Sequence, residues 1–340
     1  MPATTFDAAL SDSERFNKRH VLLGNGFSIA CRPDTFQYDA LLDQATFEGA
    51  STDVRGVFDL LGTTDFERVI ELLRLAADLC ERYASTDPDL AARLRADADI
   101  VRTALAHVLA ARHPEVPFDI VDEEYAAARA FLTHFERIYT LNYDMLLYWT
   151  VMQEMEPQTV RNDGFGNPDD PEADYVVWMP YEKFPNQRLF YLHGGLHLYD
   201  SGTELAKITW SRTQVPLITQ IRDALDEGRY PLIVTEGSTD EKLTKILHSA
   251  YLNHAIRSFA TITGCLFVYG LSLAPNDEHL IRRIAENMSL KGVYVSLYGD
   301  ADSPTNQAIV GRASQLALGR PDRYPLELQF YDAASATVWG

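Results

Sequence analysis

Cysteine is scarce in this 340-residue chain and poorly spaced for chemistry. Its three thiols, Cys31, Cys80 and Cys265, form no Cys-x-x-Cys pair. That excludes a zinc ribbon and argues against a disulfide framework, so each is expected to be a small buried hydrophobe. Positive charge is also short: 30 Lys and Arg against 49 Asp and Glu leave a net charge of −19, which repels phosphate backbones and weighs against direct duplex binding. No run approaches the roughly 18 apolar residues that a membrane helix needs, and the opening MPATTFDAALSDSERFNKRH mixes acids with bases, so a cytoplasmic protein without a membrane segment is expected. Repeats and low-complexity tracts are absent, while 46% hydrophobic residues suffice for a large core.

What is present alternates. Short apolar, β-branched or aromatic runs at residues 20–23, 137–141, 189–192, 232–235, 265–269, 293–297 and 326–331 are separated by helical stretches. Several are apolar on both faces, as buried parallel strands are. Phe66, Val69, Ile70, Leu73, Ala77 and Cys80 follow the spacing of an amphipathic helix, and Leu90, Leu94, Val101, Leu105 and Val108 form a second stripe. The pattern predicts an α/β fold: a Rossmann-like, doubly wound parallel sheet formed by residues 1–53 and 136–340, with a helical subdomain inserted at 54–135. Residues 154–185 are rich in Pro, Gly, Asn and Asp and are expected to form a long functional loop.

Four places could carry chemistry. His20-Val21-Leu22-Leu23-Gly24-Asn25-Gly26-Phe27-Ser28 runs a strand into a Gly-x-Gly turn, where absent side chains let phosphate oxygens approach backbone N–H groups. With Ile29 in place of a third glycine and no acidic residue closing a second strand, it equally fits a turn without a ligand. Thr140-Leu141-Asn142-Tyr143-Asp144 sets polar groups at a strand's carboxyl end. There Asn142 can hold a water or a ribose hydroxyl and Asp144 can orient donors, unless either only caps a helix. Leu192-His193-Gly194-Gly195-Leu196-His197 places His193 to abstract a proton, and its glycine-rich setting argues against a metal-binding His193/His197 pair. In Tyr269-Gly270-Leu271-Ser272, Gly270 and Ser272 suit a ribose or phosphate or serve as plain turn residues, and Asp277 could cap the following helix.

Taken in order, GNGFS, TLNYD, LHGGLH and YGLSL resemble the sirtuin-like superfamily, whose members pair a Gly-rich NAD loop with an Asn-x-Asp motif and a catalytic His-Gly. The glycine loop with Asn25 for the usual alanine, the NDGF stretch and Leu232-Ile233-Val234-Thr235-Glu236-Gly237 look like a zinc-free bacterial branch. The resemblance implies an NAD-binding Rossmann-like core, with the helical block as the smaller domain. It puts Gly24, Asn25, Gly26, Phe27 and Ser28 along the cofactor with Thr140, sets Asn142, Asp144 and His193 at the reacting ribose, and completes the pocket with Gly270 and Ser272.

Relatives of that kind hydrolyse NAD as antiviral-defence effectors, often as oligomers and sometimes with a partner ATPase or a nucleic-acid-guided module. The expectation is therefore an NAD glycohydrolase that acts on NAD as substrate, without zinc, and forms a homo-oligomer. Deacetylation is disfavoured because four thiolates at Cys-x-x-Cys spacing are missing. The rival readings are a non-catalytic sensor of NAD or ADP-ribose that signals to a partner, and acyl or ADP-ribosyl transfer to protein.

Overall fold

The computed structural model describes residues 3–83, 87–153, 162–179, 186–202, 204–235 and 239–340. Its strands are β1 (Arg19–Leu23), β2 (Arg137–Thr140), β3 (Phe165–Gly166), β4 (Tyr175–Trp178), β5 (Leu189–Tyr191), β6 (Leu198–Asp200), β7 (Leu205–Ile208), β8 (Gly264–Tyr269), β9 (Leu290–Leu297) and β10 (Glu327–Asp332). Six of them form one sheet in the order β10-β9-β8-β1-β2-β5, and every neighbouring pair is parallel. The chain winds outward from β1 through β2 to β5, then returns beside β1 and winds the other way through β8, β9 and β10. This is a Rossmann-like α/β arrangement whose direction reverses between β1 and β8.

The reason is legible in the strands. Every residue of β5 and β8 is buried, and β1, β2 and β9 are buried except at one position each. Helices covering both faces require that, and a parallel sheet needs helical crossovers. Phe267 at the centre stacks on Tyr294 with centroids 4.5 Å apart and meets Phe6, Phe135 and Tyr331 edgewise or tilted. Between β1 and β2 the helices Val54–Leu61, Phe66–Arg82, Leu90–Arg112 and Asp122–Thr133 follow one another. Asp65 caps the second by accepting from the N–H groups of Glu67 and Arg68. Its stripe of Phe66, Val69, Ile70, Leu73 and Ala77 is buried, and the first four join the same apolar cluster as the sheet; Cys80, at the end of the stripe, is only half-buried. Among the described residues no helix is long and apolar enough to cross a membrane.

Two features differ from expectation. Residues 232–235 form no strand of the sheet. They run along the turn after β5 with one antiparallel bridge, Gly194 to Ile233, and hydrogen bonds from Gly195 N to Leu232 O (2.9 Å) and Val234 N to His193 O (2.9 Å). Gly194 permits this approach: its φ is +78°, and a Cβ there would lie 1.9 Å from the Leu232 oxygen. Part of the stretch expected as an irregular loop is a strand pair: β3 and β4 extend an antiparallel sheet, β3-β4-β7-β6. Residues 154–161 and 180–185 of that stretch, and Glu236 and Gly237, lie outside the described residues.

Register aligns the motifs. Leu23 pairs with both Thr140 and Tyr269, and Thr140 pairs with Tyr191, so β1, β2, β5 and β8 end level and release their loops together. At the reversal point the loops after β1 and β8 meet backbone to backbone. Gly26 N donates to Gly270 O (2.8 Å) and Gly24 N to Tyr269 O (2.9 Å). A Cβ on Gly26 would lie 2.4 Å from the Gly270 Cα, and one on Gly24 2.6 Å from the Gly270 oxygen. Neither glycine has a positive φ, so it is this contact, rather than a strained turn, that demands them.

Gly270 and Gly228 both have positive φ (+66° and +76°), but a Cβ on Gly270 would meet Gly26 Cα at 2.5 Å while one on Gly228 meets nothing within 4 Å. Gly228→Ala is therefore expected to cost only the left-handed penalty of about 1–2 kcal/mol, and Gly270→Ala clearly more. Urea unfolding of both variants measures the difference, and equal costs would show that the contact does not hold the loops.

Candidate active site

The loop after β1 passes into the short helix Gly26–Cys31. Asn25 turns its amide to Phe36 O (Nδ2 donating, 3.0 Å), which ties this loop to the next helix. Phe27 and Ser28 point inward and are fully buried. The Phe27 ring packs 5.1 Å from Trp339, whose Nε1 donates to Phe27 O (2.8 Å). Ser28 joins the two loops: its hydroxyl donates to Asp144 Oδ2 (2.5 Å) and accepts from Asn142 Nδ2 (2.9 Å).

The loop after β2 is thereby fixed. Thr140 Oγ1 accepts from Asn142 N (3.0 Å), and Asp144 Oδ1 accepts from Leu146 N (2.9 Å), where the helix Leu146–Met152 begins. Asp144 thus closes an Asx-type turn just before the helix, whose N-cap residue is Met145. Burial raises the pKa of its carboxyl against the opposing effect of the Ser28 hydroxyl. Asn142 keeps its carbonyl oxygen and second amide N–H without another partner among the described residues.

His193 follows β5, buried at 2% exposure, with its Nε2 2.9 Å from the Nε2 of His279 and the two rings nearly stacked. Burial first and Lys242 second hold His193 far below the usual imidazole range, and burial pushes His279 down to about 2, so both rings are neutral at pH 7. Lys242, fully buried, pairs with Glu67, which also accepts from the hydroxyl of Tyr143 (2.7 Å). That hydroxyl is also within 2.8 Å of Val234 O. Asp277 precedes the helix Glu278–Glu286 but makes no side-chain cap; it is buried, and desolvation raises its pKa to about 7. His197 lies apart, between the rings of Tyr148 and Tyr191 (5.1 and 4.9 Å).

One cavity of about 890 Å³ opens along the strand ends. It is at the upper end of the roughly 300–1,000 Å³ of small-molecule sites, and it lies where open α/β sheets bind ligands. Of the residues singled out by sequence, Gly24, Asn25, Gly26, Asn142, Asp144, His193, Gly270 and Ser272 line it. Phe27, Ser28 and Thr140 do not; Phe27 packs on Trp339, Thr140 fixes the backbone of Asn142, and Ser28 holds the side chains of Asn142 and Asp144. Among the described residues its charged lining is Asp65, Glu67, Asp144 and Asp277, all acidic. A cationic ligand group would therefore be drawn to the acidic end, whereas an anionic one meets no cationic side chain among the described residues, and the N–H groups of Gly24 and Gly26 are already bonded to Tyr269 O and Gly270 O. Sequence reasoning missed Glu67, Lys242 and His279. A lysine and a glutamate on amphipathic helices read as solvent-facing, and His279 sits one residue inside a helix start with no motif around it.

Residues 21–339 match a family described as a domain of unknown function, DUF4917. No curated protein matches the chain.

Asp277 generates a pH signature. Its folded pKa is raised from 3.8 to about 7, so the folded state holds its proton more tightly than the unfolded one, and stability declines as pH rises from about 4 through 7. Asp277→Asn should flatten that decline, by up to about 4 kcal/mol at neutral pH. Unfolding free energies of both proteins from pH 4 to 8 check this; parallel curves would contradict it.

Proposed function

We propose that this chain, which belongs to the DUF4917 family, is an NAD glycohydrolase that cleaves the nicotinamide–ribose bond to give ADP-ribose and nicotinamide. The observation that carries the reading is that Asn142 and His193, delivered by different strands, line one cavity at the reversal point of a Rossmann-like sheet. The dinucleotide lies across the strand ends, its diphosphate toward the loop of Gly24–Gly26 and its cationic nicotinamide toward Asp277 and Glu67. In this position the acidic groups favour the oxocarbenium-like charge that develops as nicotinamide departs. The departing ring takes the electron pair of the broken bond and is neutralised. A water oriented by Asn142 attacks the ribose carbon, and its proton goes to neutral His193.

By the same reading the helical block at 54–135 is a smaller lobe inserted into the core, and it supplies Glu67. The resemblance set out above further supports a cytoplasmic defence effector that depletes NAD, assembled as a homo-oligomer and controlled by a partner such as an ATPase. No zinc enters the proposal, and acyl transfer is not part of it.

Nicotinamide release from NAD is the test. Asn142→Ala and His193→Ala should each lower it by at least about 10²-fold while circular dichroism and melting temperature stay close to wild type. Full activity in both variants would overturn the proposal, and tight NAD binding without release, alone and with candidate partners, would make the protein a sensor.

A further inference from the structure

His193 has a partner that no motif marked. The two Nε2 atoms of His193 and His279 are 2.9 Å apart, and both residues are buried. Two neutral imidazoles at that separation share one proton, so one ring donates and the other accepts. The choice matters because His193 lines the cavity. With Nε2 engaged by His279, Nδ1 is its nitrogen available to a ligand. If His279 donates, His193 carries its own proton on Nδ1 and cannot take another there. If His193 donates, its Nδ1 lone pair is free. In either case His279 Nδ1 is buried without a hydrogen-bond partner among the described residues, as a bare lone pair if His279 donates and as an N–H if His193 does. An orphan of this kind is uncommon in a native interior and asks for an explanation.

We propose that His279 is a positioning residue for His193: its Nε2 accepts the Nε2–H of His193 and fixes the tautomer whose Nδ1 receives the proton of the attacking water. The proposal rests on the NAD-hydrolysis reading. In the step, the water oxygen bonds to the ribose carbon, the bond to nicotinamide breaks with its electron pair leaving on nicotinamide, and the water's proton moves to His193 Nδ1. The resulting imidazolium keeps its Nε2–H bond to His279 and releases the proton to solvent when the products leave. Lys242, Glu67 and Arg283 are the charged groups that act on His279, and Lys242 acts on His193. The first of these opposes a second positive charge, so the accepting lone pair of His279 is what holds the imidazolium in place.

Long-range ¹H–¹⁵N correlation spectra of the full chain labelled at histidine read the tautomer directly and need no turnover. The expected result is a proton on Nε2 of His193 in the wild type, a mixture of tautomers in His279→Ala, and recovery in His279→Gln, whose amide oxygen can accept. Nicotinamide release should fall at least about tenfold in His279→Ala, with a shifted pH profile, and return in His279→Gln. A proton on Nδ1 of His193 in the wild type overturns the proposal, and so does a folded His279→Ala with unchanged tautomer and pH profile. If the alanine variant does not fold, the wild-type spectrum and the glutamine variant decide. The predicted tautomer in a wild-type protein that releases no nicotinamide would overturn the hydrolysis reading and leave the pairing standing.

Discussion

The site depends on one steric constraint, the backbone contact between Gly24 and Gly26 on one loop and Gly270 on the other. Parallel pairing brings the ends of β1 and β8 level, so their loops must either collide or interlock. Three missing side chains allow them to interlock, with Gly26 N bonded to Gly270 O. Everything on the floor of the cavity follows from that placement. The helix begun at Gly26 carries Ser28 to within hydrogen-bonding distance of both Asn142 and Asp144, and the loop of Gly270 carries Ser272 and Asp277 to the same cavity. A contact between main chains positions more accurately than side chains with several rotamers, as a site that must align water with a ribose carbon requires.

Around this floor the protein pays for buried charge with pairing. Lys242 and Glu67 satisfy each other, and Glu67 also fixes Tyr143 between the two polar residues of its loop. The pair therefore couples the helical block to the loop after β2. Removing one partner would leave a buried charge uncompensated. The histidines are held neutral by the same desolvation that raises the pKa of Asp277 to about 7, where its carboxyl is still partly ionised at neutral pH.

Much of the fold was legible in the sequence because buried parallel strands are apolar on both faces, and six of the seven short runs are strands of the sheet. The polar motifs were legible as a site because each follows a strand directly. The run at 232–235 misled because an apolar segment can be buried without pairing in a sheet; here it is pinned by the turn at Gly194. Gly24 and Gly26 were read as openings for phosphate, yet the space they leave is filled by Gly270, whose separation in sequence hides the contact. Ser28 and Thr140 were placed beside the ligand, but their hydroxyls turn to protein groups. His279 and Lys242 could not be found, because a buried polar residue on a helix is recognised only by what packs against it.

The most direct measurement of the central claim is a crystal structure of the full chain with ADP-ribose, the expected product. The account predicts the diphosphate over the loop of Gly24, Asn25 and Gly26 and the terminal ribose within about 2.6–3.2 Å of Asn142 and His193. Density for ADP-ribose at another site, or in this cavity with that ribose turned away from both residues, would contradict it.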